Sequence, residues 1–412
     1  MLPRVLDRGP FRLLFAGQAV SSLGDRIVPV ALAFAILDLT GSPTDLGIVV
    51  AARTLPLVML VLLGGVWGDR LPRQLVMLAS DGVRCVAQGL SAGLLLSGQA
   101  HVWQLAALQA LYGAAQAFFG PSLTALVPQT VEPAELQQAN ALIGLTDNAA
   151  SVLGPALAGA LIAILSPGWA LALDAATFVV STFCLALMRV DRAPALSRSS
   201  TLSDLRDGWH AFISRPWLWL SVMFFTLYMA FAYSPFQVLG PQVARASLGG
   251  PGAWAAISAA LGAGALAGGA LSLRWRPLHP LRVGFLSFLL AGPAMLAGLA
   301  AHASLAVLLP LALVDGVSGS LFNALWFTAQ QSEIPAEELS RVSSWDYLGT
   351  LALQPVGLAL SGPIAAAIGV SSALYGAGGL ILLLGLAILA VPSVRNFTAR
   401  RDGSSPINRV NT

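Results

Sequence analysis

The sequence predicts an all-α integral membrane protein in which twelve transmembrane helices form two pseudo-symmetric six-helix bundles. Of 412 residues, 56% are hydrophobic and 10% are charged, and the mean hydropathy is +0.77. Soluble domains carry about 25% charged residues. Splitting the chain at charges, prolines and glycines leaves apolar segments of roughly the 20 residues that cross a bilayer. In chain order, these twelve segments span roughly 11–37, 46–67, 75–97, 102–127, 138–165, 169–189, 217–244, 253–273, 283–303, 305–329, 343–367 and 371–392.

The arginines predict how the segments are oriented. All 22 basic residues are arginine. An even number of crossings puts both termini on one side, and a cytoplasmic N-terminus leaves Arg245 as the only loop arginine outside. Cytoplasmic loops of membrane proteins are enriched in Lys and Arg. We therefore expect a multi-pass protein of the bacterial cytoplasmic membrane with both termini in the cytoplasm.

The longest polar interruption, residues 191–214, divides the segments six and six. We expect an N-terminal half over 1–189, a cytoplasmic linker over 190–215, and a C-terminal half with a cytoplasmic tail over 216–412. The halves echo each other, because Pro133-Ala-Glu-Leu precedes segment 5 and Pro335-Ala-Glu-Glu-Leu precedes segment 11, about 200 residues later. In the linker, a short amphipathic helix is predicted to lie on the inner membrane surface. Its apolar stripe consists of Leu205, Trp209, Phe212 and Ile213.

The short loop between segments 2 and 3 concentrates charge between two apolar runs. Asp69 is expected to cap the helix that follows, with Pro72 in its first turn. A plain basic loop that obeys the positive-inside rule is the alternative. The spacing resembles the signature between helices 2 and 3 of the major facilitator superfamily, with Pro72 and Gln74 where glycine and a second basic residue are usual. The residues that carry this resemblance are Gly65, Asp69, Arg70 and Arg73.

The resemblance implies the major facilitator fold, with a substrate site between the halves at mid-membrane and alternating access to it. It also implies that the loop is a conformational hinge that contacts the inner end of segment 11. We expect Asp69 to face a helix terminus there. Arg70 or Arg73 is expected to lie near Glu337 or Asp346.

Segment 5 carries Gly154-Pro155 and Gly159, which resemble the signature of antiporters, chiefly drug exporters, within the superfamily. Close helix packing through small residues explains the same pattern. The run from Phe119 to Gly159 is similar to the drug-exporter branch that includes the enterobactin exporter and macrolide efflux pumps. This implies a secondary active exporter of small lipophilic or amphipathic compounds, working by proton antiport. Gln109 stands where drug/proton antiporters of the superfamily commonly carry an arginine in segment 4.

Ionisable residues inside apolar segments cost about 2.5–3.5 kcal/mol at a helix centre and are therefore candidates for function. Asp25 lies near the middle of segment 1, where Pro29 frees its backbone carbonyl. We expect Asp25 either to couple transport to protons or to form a structural pair with Arg53. Asp147 in segment 5 and Asp315 in segment 10 are further candidates. Three residues nearer to segment ends are expected to be structural, namely Asp81, Arg84 and Asp174. Asp81 and Arg84 are expected near the inner end of segment 3, where water and headgroups are within reach.

The same architecture selects segments 1, 4, 7 and 10 as the lining of a central cavity and turns segments 3, 6, 9 and 12 toward lipid. Segment 7 is rich in aromatic residues, which indicates either core packing or an apolar cavity wall. Pro235 is expected to break this segment. The polar candidates for contact with a substrate are Gln109, Tyr112, Asn140, Asn148 and Tyr228.

The sequence indicates no enzyme, cofactor or metal site, because the four histidines are isolated and no phosphate-binding loop occurs. Cys85 and Cys184 lie far apart in apolar segments, so no disulfide is expected. The arginines are spread over many loops, which argues against nucleic-acid binding. We expect a monomer whose partners are a small-molecule substrate, protons and the lipid bilayer. The alternatives are a major facilitator importer of a small solute and a membrane receptor or scaffold without transport.

Overall fold

A computed structural model describes residues 4–70, 72–132, 135–189, 201–275 and 277–398. Over these ranges the chain forms helices and short connections, with no β-strand. Ten stretches are long and apolar enough to cross a membrane. Two further helices, α3 (Arg73–Leu96) and α4 (Val102–Leu126), have 24 and 25 residues. At 1.5 Å per residue each is about 36 Å long, enough to span the bilayer.

The helices follow the predicted segments closely. The first half contains α1 (Gly9–Thr40), α2 (Pro43–Arg70), α3, α4, α5 (Leu136–Ile164) and α6 (Pro167–Leu187), and the linker contains α7 (Thr201–Ile213). Segment 7 consists of α8 (Pro216–Tyr228), a π-helical turn (Met229–Tyr233) and α9 (Ser234–Ser247). It is followed by α10 (Pro251–Arg274), α11 (Pro280–Ala300) and α12 (Leu305–Glu333). Segment 11 is divided into α13 (Ala336–Leu351) and α14 (Gln354–Ile368), and α15 (Val370–Ala390) and α16 (Pro392–Arg395) end the described chain.

Helix packing repeats from one half to the other. In the first half α2 packs on α4 and α3 packs on α6, and the counterparts in the second half are α10 on α12 and α11 on α15. Ion pairs at the inner end also repeat. Arg8 lies 3.1 Å from Glu135, and Arg215 lies 2.8 Å from Glu338. Hydrogen bonds from Arg8 to Glu135 and Glu132 raise the pKa of Arg8. The predicted fold of two pseudo-symmetric halves is confirmed.

The two halves touch through α2 on α14 and through α5 on α10. Both contacts lie in the outer half of the protein, where "outer" is the side of the α1–α2 connection, following the orientation predicted from the arginines. Gly47 packs on the backbone carbonyl of Leu358, and Gly159 packs on the methyl group of Ala255. Neither glycine leaves room for a Cβ, so these small residues let the helices of opposite halves come into backbone contact.

Helix α1 shows where the halves separate. Its outer part, from Val30 to Leu37, is entirely buried, and an ion pair between Asp38 and Arg245 (3.3 Å) joins the halves beyond it. Arg26 and Pro29, three residues apart on one face of α1, are exposed. An arginine exposed to lipid at mid-depth is costly, so this face lines a water-accessible cavity between the halves. The contacts between the halves lie on its outer side, so the cavity is closed there and opens toward the inner side. Arg12, Ala16 and Val20, nearer to the inner end of α1, are exposed as well.

Helix α2 continues through the predicted hinge, so Asp69 lies in its last turn. Helix α3 begins at Arg73, and Pro72 occupies the N-cap position. The predicted capping role of Asp69 is therefore wrong, because the chain leaves α2 only after Arg70. Gln74, where a second basic residue is usual, donates hydrogen bonds of 2.6 and 2.8 Å to two carbonyl oxygens at the end of α6. It ties the start of α3 to the neighbouring helix.

Segments 7 and 11 are both irregular, next to a proline in each case. Pro235 cannot donate to the carbonyl four residues earlier, and the helix there widens into the π-helical turn without breaking. Pro355 likewise lacks a donor, and α13 ends four residues before it. The helices that precede the two irregular stretches, α8 and α13, are joined by the hydroxyl of Thr226, which donates to the carbonyl of Gly349 (2.7 Å).

The linker helix α7 packs against α13 and α8. Phe212 is buried, and the ring of Trp209 lies 4.9 Å from that of Trp345 on α13. Ile213 is 48% exposed. Part of the apolar stripe thus packs on protein, and contact of the rest with the inner membrane surface stays a prediction.

Candidate functional site

A network of charged and aromatic side chains lies inside the first half at mid-depth. Asp25 on α1 accepts a hydrogen bond from the hydroxyl of Tyr112 on α4, and its Oδ2 lies 3.5 Å from Nη1 of Arg84 on α3. The side chain of Asp25 is 24% exposed, whereas that of Arg84 is 1% exposed. Pro29 leaves the carbonyl of Asp25 without its helical donor. Asp25 is therefore the point at which the buried network meets the cavity.

Arg84 is the centre of this network. Its guanidinium also pairs with Asp81, whose second oxygen accepts a 2.6 Å hydrogen bond from Ser181 on α6. The rings of Phe119 and Phe178 cover the guanidinium at 4.1 and 4.4 Å from their centroids. These are cation–π distances, which stabilise a desolvated cation.

The burial of Asp81 and Arg84 corrects a prediction from the sequence. Both were expected near the inner end of segment 3 with water and headgroups within reach, but both side chains are buried, at 0% and 1% exposure. The sequence does contain a signal for this, since the polar residues of α3 recur at helical spacing on its buried face. The buried stripe of α3 comprises Met77, Ser80, Asp81, Arg84, Ala87, Gln88 and Ser91.

Arg53 on α2 does not pair with Asp25. Its guanidinium stacks on the ring of Tyr112 at 4.2 Å, and its Nη2 donates to Oε1 of Gln116 at 3.2 Å. The alternative of a structural pair between Asp25 and Arg53 is therefore wrong, because Arg84 takes that place. Tyr112 lies between the two groups, since Arg53 covers its ring and its hydroxyl binds the carboxylate of Asp25.

A second buried acid adjoins the network on its outer side. Asp174 on α6 accepts a 2.8 Å hydrogen bond from Gln88, which in turn accepts a 3.0 Å bond from Gln109. Gly24 of α1 packs directly on the carboxylate of Asp174, and a Cβ there would collide with it. Gln109 and Tyr112 are fully buried, so they face α3 and α6 and are not lining residues of the cavity. The structure places these two predicted substrate contacts behind Asp25.

Three polar candidates lie together on α5. Asp147 accepts a 2.5 Å hydrogen bond from the hydroxyl of Ser22 on α1. Asn140 and Asn148, on the same helix, are exposed. Asp147 thus holds α5 to α1, and the two asparagines are available to solvent or ligand.

The antiporter-like motif lies where α5 meets both α1 and α10. Gly154 packs on the backbone of Arg26, and Gly159 packs on Ala255 of the second half. Pro155 is buried inside the helix between them. The tight packing predicted for this motif is present. Through it, α5 contacts α1 at the wall of the cavity and α10 at the outer contact between the halves.

In the second half, Asp315 on α12 lines a cavity of ≈ 60 Å³ together with Tyr228, Tyr233 and Phe236 of segment 7. Asp315 makes no hydrogen bond or ion pair with any residue in the described ranges. The inward faces of α11 and α15 complete the wall, so segments 9 and 12 do not face lipid alone as predicted. Their contributions are Gly292, Met295, Leu296 and Ile381.

The other aromatic residues of segment 7 belong to the core. Phe224 and Phe225 pack on Phe285 of α11 at 5.2 and 6.0 Å, and Phe225 packs on Phe322 of α12 at 4.6 Å. Tyr228 lies at the boundary, 4.6 Å from Phe288 and on the wall of the cavity. The sequence left core packing and an apolar cavity wall as alternatives for this aromatic segment. Both occur, at successive helical turns.

Asp346, the predicted partner of the hinge arginines, is bonded within the second half. Its Oδ2 accepts hydrogen bonds from Trp326 Nε1 (3.0 Å) and Gln330 Nε2 (2.7 Å). The side chains of residues 62–71 lie outside the described part of the chain. The contact between the hinge and segment 11 therefore stays a prediction.

Known proteins resemble this chain in both sequence and fold. The sequence profile of the Major Facilitator Superfamily matches residues 14–349. Macrolide efflux protein A of Streptococcus pyogenes is 23% identical over 392 residues, covering 93% of this chain and 96% of that protein. Enterobactin exporter EntS of Escherichia coli O1:K1 / APEC is 27% identical over 406 residues, covering 94% and 93%. A solved bacterial homologue of the human lysosomal transporter Spinster, in an inward-facing and unoccupied conformation, has a TM-score of 0.73 at 14% identity, covering 96% of this chain and 98% of that one.

Proposed function

Because the chain belongs to the major facilitator superfamily, we propose that it is a secondary active exporter of small lipophilic or amphipathic compounds, such as drugs, siderophores or secondary metabolites. Membership makes it a multi-pass transporter of the bacterial cytoplasmic membrane with small-molecule substrates, and not an enzyme. Export is supported by the relatives of matching length that are named as an efflux protein and an exporter. The proposal includes proton antiport by a monomer with both termini in the cytoplasm.

The exposed face of α1 at Arg26 and Pro29 is the observation that carries this proposal. Beyond Pro29 the helix is buried by the contact between the halves. A compound that enters from the cytoplasm reaches Arg26 and Asp25 at the closed end of the cavity. Separation of the halves at the outer contact, with closure at the inner end, would open the same residues to the other side.

Asp25 is suited to bind the coupling proton, because its partners tolerate both protonation states. When it is ionised, Arg84 lies between two carboxylates, those of Asp25 and Asp81. When Asp25 binds a proton from the cavity, Arg84 keeps Asp81 as its partner, and no buried cation is left without one. The proton therefore weakens the link between α1 and α3 without disrupting the core of the half.

Inside-out membrane vesicles test this function directly. With an imposed gradient that is acidic in the lumen, vesicles that contain the protein should accumulate a lipophilic dye or a macrolide, and a protonophore should abolish the accumulation. Asp25→Asn should lose most of the gradient-driven accumulation but retain expression and the exchange of labelled for unlabelled substrate, which moves no net proton. Asp7→Asn, which removes an exposed acid before α1, is the matched control.

The alternatives predict different fluxes. Gradient-driven uptake into right-side-out vesicles would identify an importer of a small solute. Binding without gradient-driven flux in either orientation would identify a receptor or scaffold. Disappearance of Asp25→Asn from the membrane would show that Asp25 is structural and would refute the assignment of the coupling proton to it.

A further inference from the structure

We propose that a groove on the lipid-facing side of the second half binds one acyl chain of a phospholipid from the outer leaflet, and that this chain supports the π-helical turn of segment 7. The groove lies between segment 7, α14 and α15 and has a volume of ≈ 180 Å³. Its lining includes Phe231 of the π-helical turn, Leu360, Ile364 and Ile368 of α14, and Gly376 and Leu380 of α15. The proposal is independent of the direction of transport and of the substrate.

The groove opens toward the membrane. Leu360, Ile364 and Ile368 recur every four residues along α14, and all three are exposed. They belong to a stretch that is apolar enough to cross a membrane. Gly362, on the opposite face of the same helix, packs on α2 of the first half. The exposed face of α14 is therefore turned away from the first half, and hydrocarbon is the medium that it meets.

The length of the groove matches one leaflet. Along α14 its lining runs from Gly357 to Ile368, the outer end of the helix, which is about 16 Å at 1.5 Å per residue. The hydrocarbon core of a bilayer is about 30 Å thick, so one leaflet contributes about 15 Å. The groove thus spans the outer leaflet and ends near mid-membrane, as an acyl chain of that leaflet does.

The chemistry of the lining favours a hydrocarbon ligand. Of the residues that line the groove, Ser361 alone has a polar side chain. Its hydroxyl donates a 2.6 Å hydrogen bond to the carbonyl of Gly357, so it needs no partner from a ligand. A polar group of a ligand would lose its hydrogen bonds to water here without replacement, which is unfavourable. An acyl chain carries no such group.

The volume distinguishes an acyl chain from a protein helix. At 10–15 Å³ for each water-sized group, ≈ 180 Å³ has room for roughly 12–18 of them. A methylene group is about as large as a water molecule, so one acyl chain of ordinary length fills the groove. A helix from a second copy of the chain, about 10–12 Å across with its side chains, is too wide to enter it.

The first half closes the corresponding place with protein. Gly24 lies five residues before Pro29, and Ala230 lies five residues before Pro235, so the two positions correspond in the repeat. Gly24 packs directly on Thr177 of α6. Ala230 instead lines the groove between segment 7 and α15, at the point where the helix widens into the π-helical turn. The groove therefore goes with the irregular turn of the second half.

A bound chain would pack on the back of that turn. Phe231 lines the groove, whereas Ala232 and Tyr233, the next residues of the turn, line the cavity that contains Asp315. The π-helical turn is thus a thin wall between the lipid and this cavity. A ligand that binds only the folded protein stabilises it by mass action, so we expect phospholipid to protect the second half against thermal unfolding.

Photo-crosslinking of the full-length protein in detergent tests the proposal. The probe is a phosphatidylcholine with a diazirine in the middle of one acyl chain, added at a low ratio of lipid to protein, and mass spectrometry identifies the labelled residues. The wild type should be labelled mainly at Leu360, Ile364 and Leu380. Excess unlabelled phosphatidylcholine should abolish this labelling, and glycerophosphocholine, which has the same headgroup without acyl chains, should not.

Two glycines of α15 provide a matched pair of variants. Gly376 and Gly379 are both exposed, and a Cβ on either would have no described residue within 4 Å, but only Gly376 lines the groove. Gly376→Leu puts a side chain into the space of at least two methylene groups, so it should weaken lipid binding more than about tenfold. Gly379→Leu should bind like the wild type. Added phosphatidylcholine should raise the melting temperature of the wild type and of Gly379→Leu more than that of Gly376→Leu.

Three outcomes would overturn the proposal. The first is labelling of the wild type that spreads evenly to exposed positions of α15 outside the groove, such as Leu383, and this result decides even if Gly376→Leu fails to fold. The second is equal lipid binding by the two glycine variants. The third is labelling that unlabelled phosphatidylcholine leaves unchanged while crosslinks join two copies of α14, which would make the groove an interface between copies of the chain.

Discussion

Removal of the Arg84 guanidinium should destabilise the first half more than any other single charge removal in it. In Arg84→Gln, two carboxylates lose their cation, and the carboxylate of Asp81 is fully buried. Breaking a buried ion pair from one side costs about 3–5 kcal/mol. For a unit of about 190 residues, each kcal/mol corresponds to roughly 2–4 °C in the melting temperature. We therefore expect the apparent melting temperature to fall by about 6–20 °C.

The measurement is thermal unfolding of the purified protein in detergent, followed by tryptophan fluorescence. Arg282→Gln, at an exposed position of α11, is the control for loss of one arginine and should melt like the wild type. The double variant with Asp81→Asn should recover part of the loss, since it removes one of the two unpaired carboxylates. A melting temperature of Arg84→Gln within about 2 °C of the wild type would refute the central role of this guanidinium.

Two further predictions concern the cavity and its outer closure. In a background without the two native cysteines, Arg26→Cys should react with a water-soluble thiol reagent and Gln109→Cys should not, because only the first side chain is exposed; the opposite order would place the cavity behind α1. Asp38→Arg should weaken the outer closure by repelling Arg245, and Arg245→Asp in the same chain should restore it. Since an exposed ion pair contributes about 0–1 kcal/mol, thiol labelling at the outer end of the cavity should rise by at most about fivefold.

The helices and their grouping could be predicted from the sequence because each depends on a local property. Segment ends follow prolines and glycines, as at Pro167, the first residue of α6, and at Gly41 after α1, where the left-handed backbone favours glycine. The repeat of Pro-Ala-Glu before segments 5 and 11 anticipated a real symmetry. One glutamate of each copy binds the arginine that precedes the first helix of its half, namely Glu135 in Pro133-Ala-Glu-Leu and Glu338, the second glutamate of Pro335-Ala-Glu-Glu-Leu.

The partners of the charged residues could not be predicted in the same way. Depth along a segment suggested that Asp25 and Arg53 meet, yet α1 turns Asp25 toward α3 and α4, and Arg53 contacts the ring of Tyr112 and Gln116 instead. Which face of a helix meets which neighbour is set by packing of the whole half. The polar residues of α3 recur in the sequence at helical spacing. The prediction for Asp81 and Arg84 used only their distance from the segment end.

The irregular turns show the same limit. Pro235 was expected to break segment 7, and instead the helix passes through a π-helical turn while the break falls in segment 11, before Pro355. A proline removes one donor in either case. The two segments differ in what packs against them. Gly357 of segment 11 lets α14 pack on the backbone of Ala230, inside the π-helical turn of segment 7. That contact depends on two segments more than 120 residues apart.

The symmetry of the two halves stops at their charges. The first half neutralises its mid-depth acid with its own cation, Arg84, and buries the pair under aromatic rings. The second half places Asp315 in an aromatic cavity and provides no cation from its own helices. On the proposed function, this asymmetry lets Asp25 bind the coupling proton while Arg84 keeps Asp81 as its partner, so that no buried cation is left unpaired in either state.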